Sequence, residues 1–211
     1  MKKAFIFDMD GVLINNEHKW EKIKKEVFTE MFGKEIYKKL GSTVGQGISV
    51  THEKAVALGA KTPFKRVFKI WQNLALKMYK ETPIAPGIEK LGEALIKNNY
   101  GIAIVSASPK SWVNLVINKL SFKKNISTII SLHDRPDLRH KPEPDGYLEA
   151  IKVLKSHPSK AFILEDSNVG IQSGKNAGAR VIGLRQNLIK GYVQKGADIY
   201  VDKVEDIIKI I

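Results

Sequence analysis

The chain has 211 residues, 43% of them apolar, which is enough for one large domain or for a domain carrying an insertion. It contains no cysteine, which excludes disulfides, thiolate metal sites and thiol nucleophiles and leaves catalysis to oxygen and nitrogen groups. Thirty-five basic against 22 acidic side chains give a net charge of +13; with no arginine-rich tail or run of like charges, this describes a lysine-rich solvated surface better than a nucleic-acid site.

The first element is "AFIF" (4 to 7), a short unbroken apolar run of the kind expected of a strand covered on both faces of a parallel sheet, and it ends on Asp8, Asp10 and Gly11. Asp8 interrupts the run too early for a signal-peptide core, and no uncharged apolar stretch is long enough to span a bilayer, so a cytoplasmic protein with no membrane partner is expected. Strand-like runs follow at "GIAIVS" (101 to 106), "ISTIIS" (126 to 131), "AFILED" (161 to 166), "ARVIGL" (179 to 184) and "DIYV" (198 to 201). Helical spacing in "GIEKLGEALIKNN" (87 to 99) and "DGYLEAIKVLK" (145 to 155) separates them. Alternating strand and helix predicts an α/β fold with a parallel sheet.

Between the first strand and "GIAIVS" lie about ninety residues of mostly helical pattern, too many for one crossover. An inserted helical subdomain over 15–83, closing at the breaker-rich "TPIAPG", accounts for them and leaves 1–14 and 84–211 as the core. Inside it, "FKRVFKIWQNLALKM" (64 to 78) puts Phe64, Val67, Phe68, Trp71, Ala75 and Met78 on one helical face and Lys65, Arg66, Lys69 and Lys77 on the other. That pattern favours core packing over a stacking platform for single-stranded nucleic acid.

Several local motifs fail on spacing. Asp8 and Asp10 do not open an EF-hand loop, because Gly11 is fourth rather than sixth and Lys19 stands where the glutamate belongs. "GIQSGKNAG" (170 to 178) is too short for a phosphate loop and has Asn176 in place of Ser or Thr. No pair of the five histidines has metal-ligand spacing. What remains is a set of polar residues at predicted strand ends: Asp8 and Asp10, Ser106, and Glu165 with Asp166. In an open parallel sheet those ends share one edge, where ligands bind. Four carboxylates converging there repel one another and call for a cation, and an all-oxygen site suits Mg²⁺.

"DMDGV", "IVSAS", "HKPEPD" and "LEDSNVG" resemble, in order and at fitting spacing, the four signature motifs of the haloacid dehalogenase-like (HAD) hydrolase superfamily. They resemble those of the branch that includes β-phosphoglucomutase and phosphoglycolate phosphatase, and the resemblance covers the whole chain. It implies a Rossmann-like core (1–14 and 84–211) with a helical cap (15–83). Asp8 resembles the nucleophile that forms an aspartyl-phosphate, and Asp10 the general acid and base. By the same resemblance Mg²⁺ is held by Asp8, the backbone carbonyl of Asp10, Asp166 and Glu165, while Ser106, Lys141 and the amides of Met9 and Ala107 bind the phosphoryl group.

The implied activity is a Mg²⁺-dependent phosphatase of a small phosphorylated metabolite, with a β-phosphoglucomutase-like phosphomutase as the alternative and a monomer as the expected state. Asn15 and Asn16 depart from the acid followed by Ser or Thr common in relatives, and His140 from their glycine. "GQGIS" (45 to 49) resembles a substrate-reaching cap loop or is a plain glycine-rich turn. Ser108 is expected to cap the helix beginning near Pro109, and Asp145 to cap or start the helix after "KPEP".

Overall fold

A computed structural model describes residues 2–211. Six strands, β1 (Ala4–Phe7), β2 (Gly101–Ser106), β3 (Ile126–Ser131), β4 (Ala161–Glu165), β5 (Arg180–Leu184) and β6 (Ile199–Val201), form one wholly parallel sheet in the order β3-β2-β1-β4-β5-β6. This is the doubly wound order of a Rossmann-like α/β protein, as the alternating sequence pattern predicts. β1 lies at its centre, with Phe5 opposite Ile102 on one side and Phe162 on the other.

Period-2 alternation sends the side chains of β1 to opposite faces. Phe5 and Phe7 join one buried cluster with Leu91 and Leu95 of α5 (Ile88–Lys97) and Val113 and Val116 of α6 (Lys110–Ile117). Ala4 and Ile6 join the other with Tyr147, Ala150 and Ile151 of α7 (Asp145–Val153) and Ile171 of α8 (Asn168–Asn176). All four residues of β1 are fully buried, and each large side chain of this kind contributes about 1.5–3 kcal/mol. Switching the neighbouring helices from one face to the other on either side of β1 opens a crevice beyond its carboxyl end.

Four helices, α1 (Glu17–Phe32), α2 (Lys34–Leu40), α3 (Ile48–Ala57) and α4 (Phe64–Glu81), stand between β1 and α5. The chain leaves and returns side by side: Ile14 bridges Ile84, and the Ala85 amide donates to the Leu13 carbonyl at 2.8 Å. The apolar stripe of α4 is packed, with Val67, Trp71, Ala75 and Met78 buried, and Trp71 is stacked between Trp20 (4.5 Å) and Phe28 (5.1 Å). Phe68 stacks on Trp112 of α6 at 5.9 Å. The Lys119 ammonium donates to the carbonyls of Tyr79, Lys80 and Thr82, so a lysine of the core caps the C-terminus of α4 and meets the negative end of its dipole. Among the described residues no helix is long and apolar enough to cross a membrane.

Candidate active site

The crevice gathers Asp8 from just after β1, Ser106 from the end of β2, Lys141 from the loop before α7, Glu165 from the end of β4 and Asp166 from just beyond it. Carboxylate oxygens of Asp8, Glu165 and Asp166 all lie within 4.8 Å of one another, and the three residues are buried. The Lys141 ammonium, itself buried, donates at 2.6 Å to Asp8 Oδ1 and at 2.6 Å to Glu165 Oε1. Tyr147 OH also donates to Glu165 Oε1, at 2.7 Å. The other oxygen, Oε2, accepts from the amides of Asp166 and Ser167 and from the Ser167 hydroxyl. Both oxygens of Glu165 are thereby engaged, whereas Asp166 Oδ2 is buried and has no hydrogen-bond partner.

The electrostatics point the same way. Burial pushes the Asp8 carboxyl well above the ordinary range, and Glu165 and Asp10 add to this against the opposing pull of Lys141. Burial, then Glu17, Glu165 and Asp8, push Asp166 up likewise. Burial lowers the Lys141 ammonium, but Asp8 and Glu165 more than reverse it, so the lysine is firmly charged. One ammonium cannot balance three buried carboxylates if all ionise, so ionising them together requires a further positive charge beside them. An all-oxygen donor set with one orphaned carboxylate oxygen fits a hard divalent cation.

Two glycines make this packing sterically possible. Gly11 turns the chain at φ +75°, and a Cβ there would run into the Asp166 carboxylate. A Cβ on Gly170 would run into the carboxylate of Glu165, so only glycine lets the start of α8 pass over that side chain. The Ser167 hydroxyl caps α8 by accepting from the Gly170 amide at 3.1 Å.

Asp10 sits differently. Its Oδ1 accepts from Asn16 Nδ2 (2.5 Å), Trp20 Nε1 (3.2 Å) and Tyr79 OH (2.8 Å), and its Oδ2 from the Ser108 hydroxyl (3.1 Å). Ser108 therefore does not cap α6, whose N-cap is Pro109 with no side-chain cap; its hydroxyl is drawn to the carboxylate instead. Its amide donates to Ser106 Oγ at 3.1 Å, which ties the end of β2 to the same network. Burial and the neighbouring Asp10 raise the Tyr79 phenol well above its usual range, so it stays a proton donor. Asn16, which also accepts from the Gly11 amide, is buried between the two acids' loop and α1.

A cavity of about 50 Å³ is walled by Asp8, Asp10, Ala107, Tyr79, Gln46 and Gly47 among others. The "GQGIS" loop thus lines the site. Asp145 starts α7, and its carboxylate pairs with Arg139. Trp20, Tyr79 and Tyr147 carry no motif that announces them. Each is a large ring in an apolar stripe whose polar tip finds the site, and only that mixed character hints at more than packing.

The family model described as haloacid dehalogenase-like hydrolase matches residues 5–184. The chain belongs to this family. It is 26% identical over 218 residues to the phosphorylated carbohydrates phosphatase of Thermotoga maritima, covering 99% of this chain and 98% of that protein. It is 25% identical over 226 residues to the phosphoglycolate phosphatase of Aquifex aeolicus, covering 99% and 96%. Among solved structures, the β-phosphoglucomutase of Clostridium difficile superposes with a TM-score of 0.75 at 23% identity, over 98% of this chain and 93% of that one, and shares the fold.

Proposed function

We propose that this HAD-family hydrolase is a Mg²⁺-dependent phosphatase of a small phosphorylated metabolite, working through an aspartyl-phosphate on Asp8. The observation that carries the reading is the buried trio Asp8, Glu165 and Asp166 facing a single lysine. Phosphatase names among relatives that match this chain over nearly its whole length support phosphate monoesters as substrates.

In this reading 15–83 is the cap and 1–14 with 84–211 the catalytic core. Asp8, Asp166 and the Asp10 carbonyl hold the ion. Glu165, whose oxygens are taken by Lys141, Tyr147 and the Ser167 loop, orients Lys141 and comes to the ion only by releasing a donor. Bound there, Mg²⁺ supplies the positive charge that lets a carboxylate approach an anionic phosphate.

Lys141 pins Asp8 Oδ1, leaving Oδ2 to attack phosphorus in line. The ester oxygen leaves with a proton from Asp10; a water then attacks the aspartyl-phosphate, gives its proton to Asp10, and frees inorganic phosphate and Asp8. Ser106, Lys141 and the Ala107 amide hold the phosphoryl oxygens while charge shifts across them.

The test is phosphate release from a panel of phosphate esters with Mg²⁺ and with a chelator. Release is expected to vanish with the chelator and to fall by at least about 10³-fold in Asp8→Asn. Full activity in that variant sinks the reading. A phosphomutase would use the same two acids; conversion of a sugar 1-phosphate to its 6-phosphate with little free phosphate would identify one.

A further inference from the structure

Helix α4 ends without the means by which a chain closes its own helix. Its C-cap residue, Thr82, is extended and is followed by Pro83, so no glycine turns the backbone onto the last carbonyls. The carbonyls of Tyr79, Lys80 and Thr82 find their donor in Lys119 instead, at 2.5, 2.9 and 2.7 Å and from 37 to 40 residues away. An ammonium has three protons to give, and this one gives all three to the end of α4.

Lys119 reaches them from a fixed base. It follows α6, its amide donates to the Val116 carbonyl at 3.0 Å, and Val116, Ile117 and Leu120 around it are buried. The same two helices meet a second time through Trp112 of α6, whose ring lies 5.9 Å from Phe68 and 5.8 Å from Tyr79. Burial, and then the neighbouring Lys19, lower the pKa of the Lys119 ammonium, so its charge stands at this place against a cost. The negative end of the helix is what it meets there.

The first of the three carbonyls belongs to the residue whose phenol holds Asp10. Tyr79 is fully buried and is gripped at both ends, its carbonyl by Lys119 and its hydroxyl on Asp10 Oδ1 at 2.8 Å. A slip in the last turn of α4 therefore moves the phenol with it. A misplacement of about 1 Å from a change far from the chemistry can cost about 10²-fold in rate.

We propose that Lys119 is a positioning residue for proton transfer: by holding the Tyr79 carbonyl it sets the reach of the Tyr79 phenol, and through it the aim of Asp10 at the leaving oxygen. The proposal rests on the reading of Asp10 as the acid given above. In that step Asp8 Oδ2 bonds to phosphorus, the bond from phosphorus to the ester oxygen breaks, and the proton of Asp10 passes to that oxygen. A group that departs as a stable anion needs this proton less.

The experiment measures kcat/KM, with Mg²⁺, for phenyl phosphate and p-nitrophenyl phosphate, which present the same ring and differ in how far the departing oxygen depends on a proton. This constant covers binding and the phosphorylation of Asp8, so the later attack of water does not enter it. Lys119→Met, which keeps an unbranched stem and removes charge and donors, is expected to lower it about tenfold for the phenyl ester and only about twofold for the nitrophenyl ester. Asp10→Asn is expected to show the same bias more strongly, and Lys119→Arg to bring the phenyl ester back within about threefold of the parent. Placed on Tyr79→Phe, where the route is already cut, Lys119→Met is expected to change the ratio of the two esters by less than about twofold.

An equal fall on both esters, no fall on either, or a full additional bias on top of Tyr79→Phe overturns the proposal and leaves Lys119 a helix cap alone. If the circular dichroism of Lys119→Met departs from the parent's, Lys119→Gln is judged by the same outcomes. An equal fall on both esters in Asp10→Asn would instead mean that Asp10 is not the acid, and a parent that hydrolyses neither ester would mean that the phosphatase reading has failed; both are separate from the fate of Lys119.

Discussion

Asp8 and Asp10 are two residues apart, yet the molecule holds them by different means. Asp8 is held from below by the core, through Lys141, which Glu165 and Tyr147 keep in line from β4 and α7. Asp10 is held largely from above by the helical insert: Trp20 comes from α1, Tyr79 from α4 and Asn16 from the stem, with Ser108 alone from the core side. The difference matches two proposed tasks. A nucleophile must be fixed before substrate arrives, and the partners that fix Asp8 all come from the core. A proton carrier that is positioned by the insert is correctly aimed only when the insert sits on the core, which excludes water at the same time.

The comparison can be broken by removing one set of partners at a time. The largest effect after Asp8→Asn is expected from Lys141→Ala, which strands two buried carboxylates; without metal the folded state should lose about 3–5 kcal/mol in urea titration. Added Mg²⁺ should restore part of that stability, and no loss in metal-free buffer would show that the ammonium is not what holds Asp8. Tyr147→Phe keeps the ring and removes one donor to a charged acceptor, for a loss of about 1.5–3 kcal/mol, with a shift in the Mg²⁺ concentration giving half-maximal rate. Tyr79→Phe should spare that Mg²⁺ dependence while lowering kcat by about tenfold, since only the aim of Asp10 is disturbed. If Tyr79→Phe shifts the metal dependence and Tyr147→Phe does not, the division between core and insert is wrong.

The smallest effect lies far from both acids. Burial pushes the Asp198 carboxyl up, but Lys175, the Val181 amide and Arg180 together outweigh it and leave it below its ordinary value. A carboxyl depressed by folding stabilises the chain above its unfolded pKa, about 3.9, and that contribution drains away as pH falls. Asp198→Asn should therefore cost about 1 kcal/mol at neutral pH, cost progressively less as pH falls below that value, and leave phosphate release intact.

The core was legible because parallel strands buried on both faces read as unbroken apolar runs, and a polar residue ending such a run stands out. Asp8, Ser106, Glu165 and Asp166 all announced themselves in that way. Ser108 did not, because a serine before a proline at a helix start looks like a cap, and only the arrival of Asp10 from 98 residues away gives its hydroxyl a better partner. Tyr79, 69 residues from Asp10, was hidden at the edge of a stripe that sequence reads as packing. Both readings are true of it, since its ring is buried and its oxygen is in the site.

Sequence by itself determined the strands, the single edge on which their polar ends meet, and the family, because each depends on short-range pattern and on residues within a motif. Tertiary structure alone decided which carboxylate oxygens are already taken, that the insert holds Asp10 while the core holds Asp8, and that Lys119 closes the end of α4. Those depend on side chains brought together across scores of residues, where hydrogen-bond geometry and excluded volume decide between partners that composition and spacing leave equal.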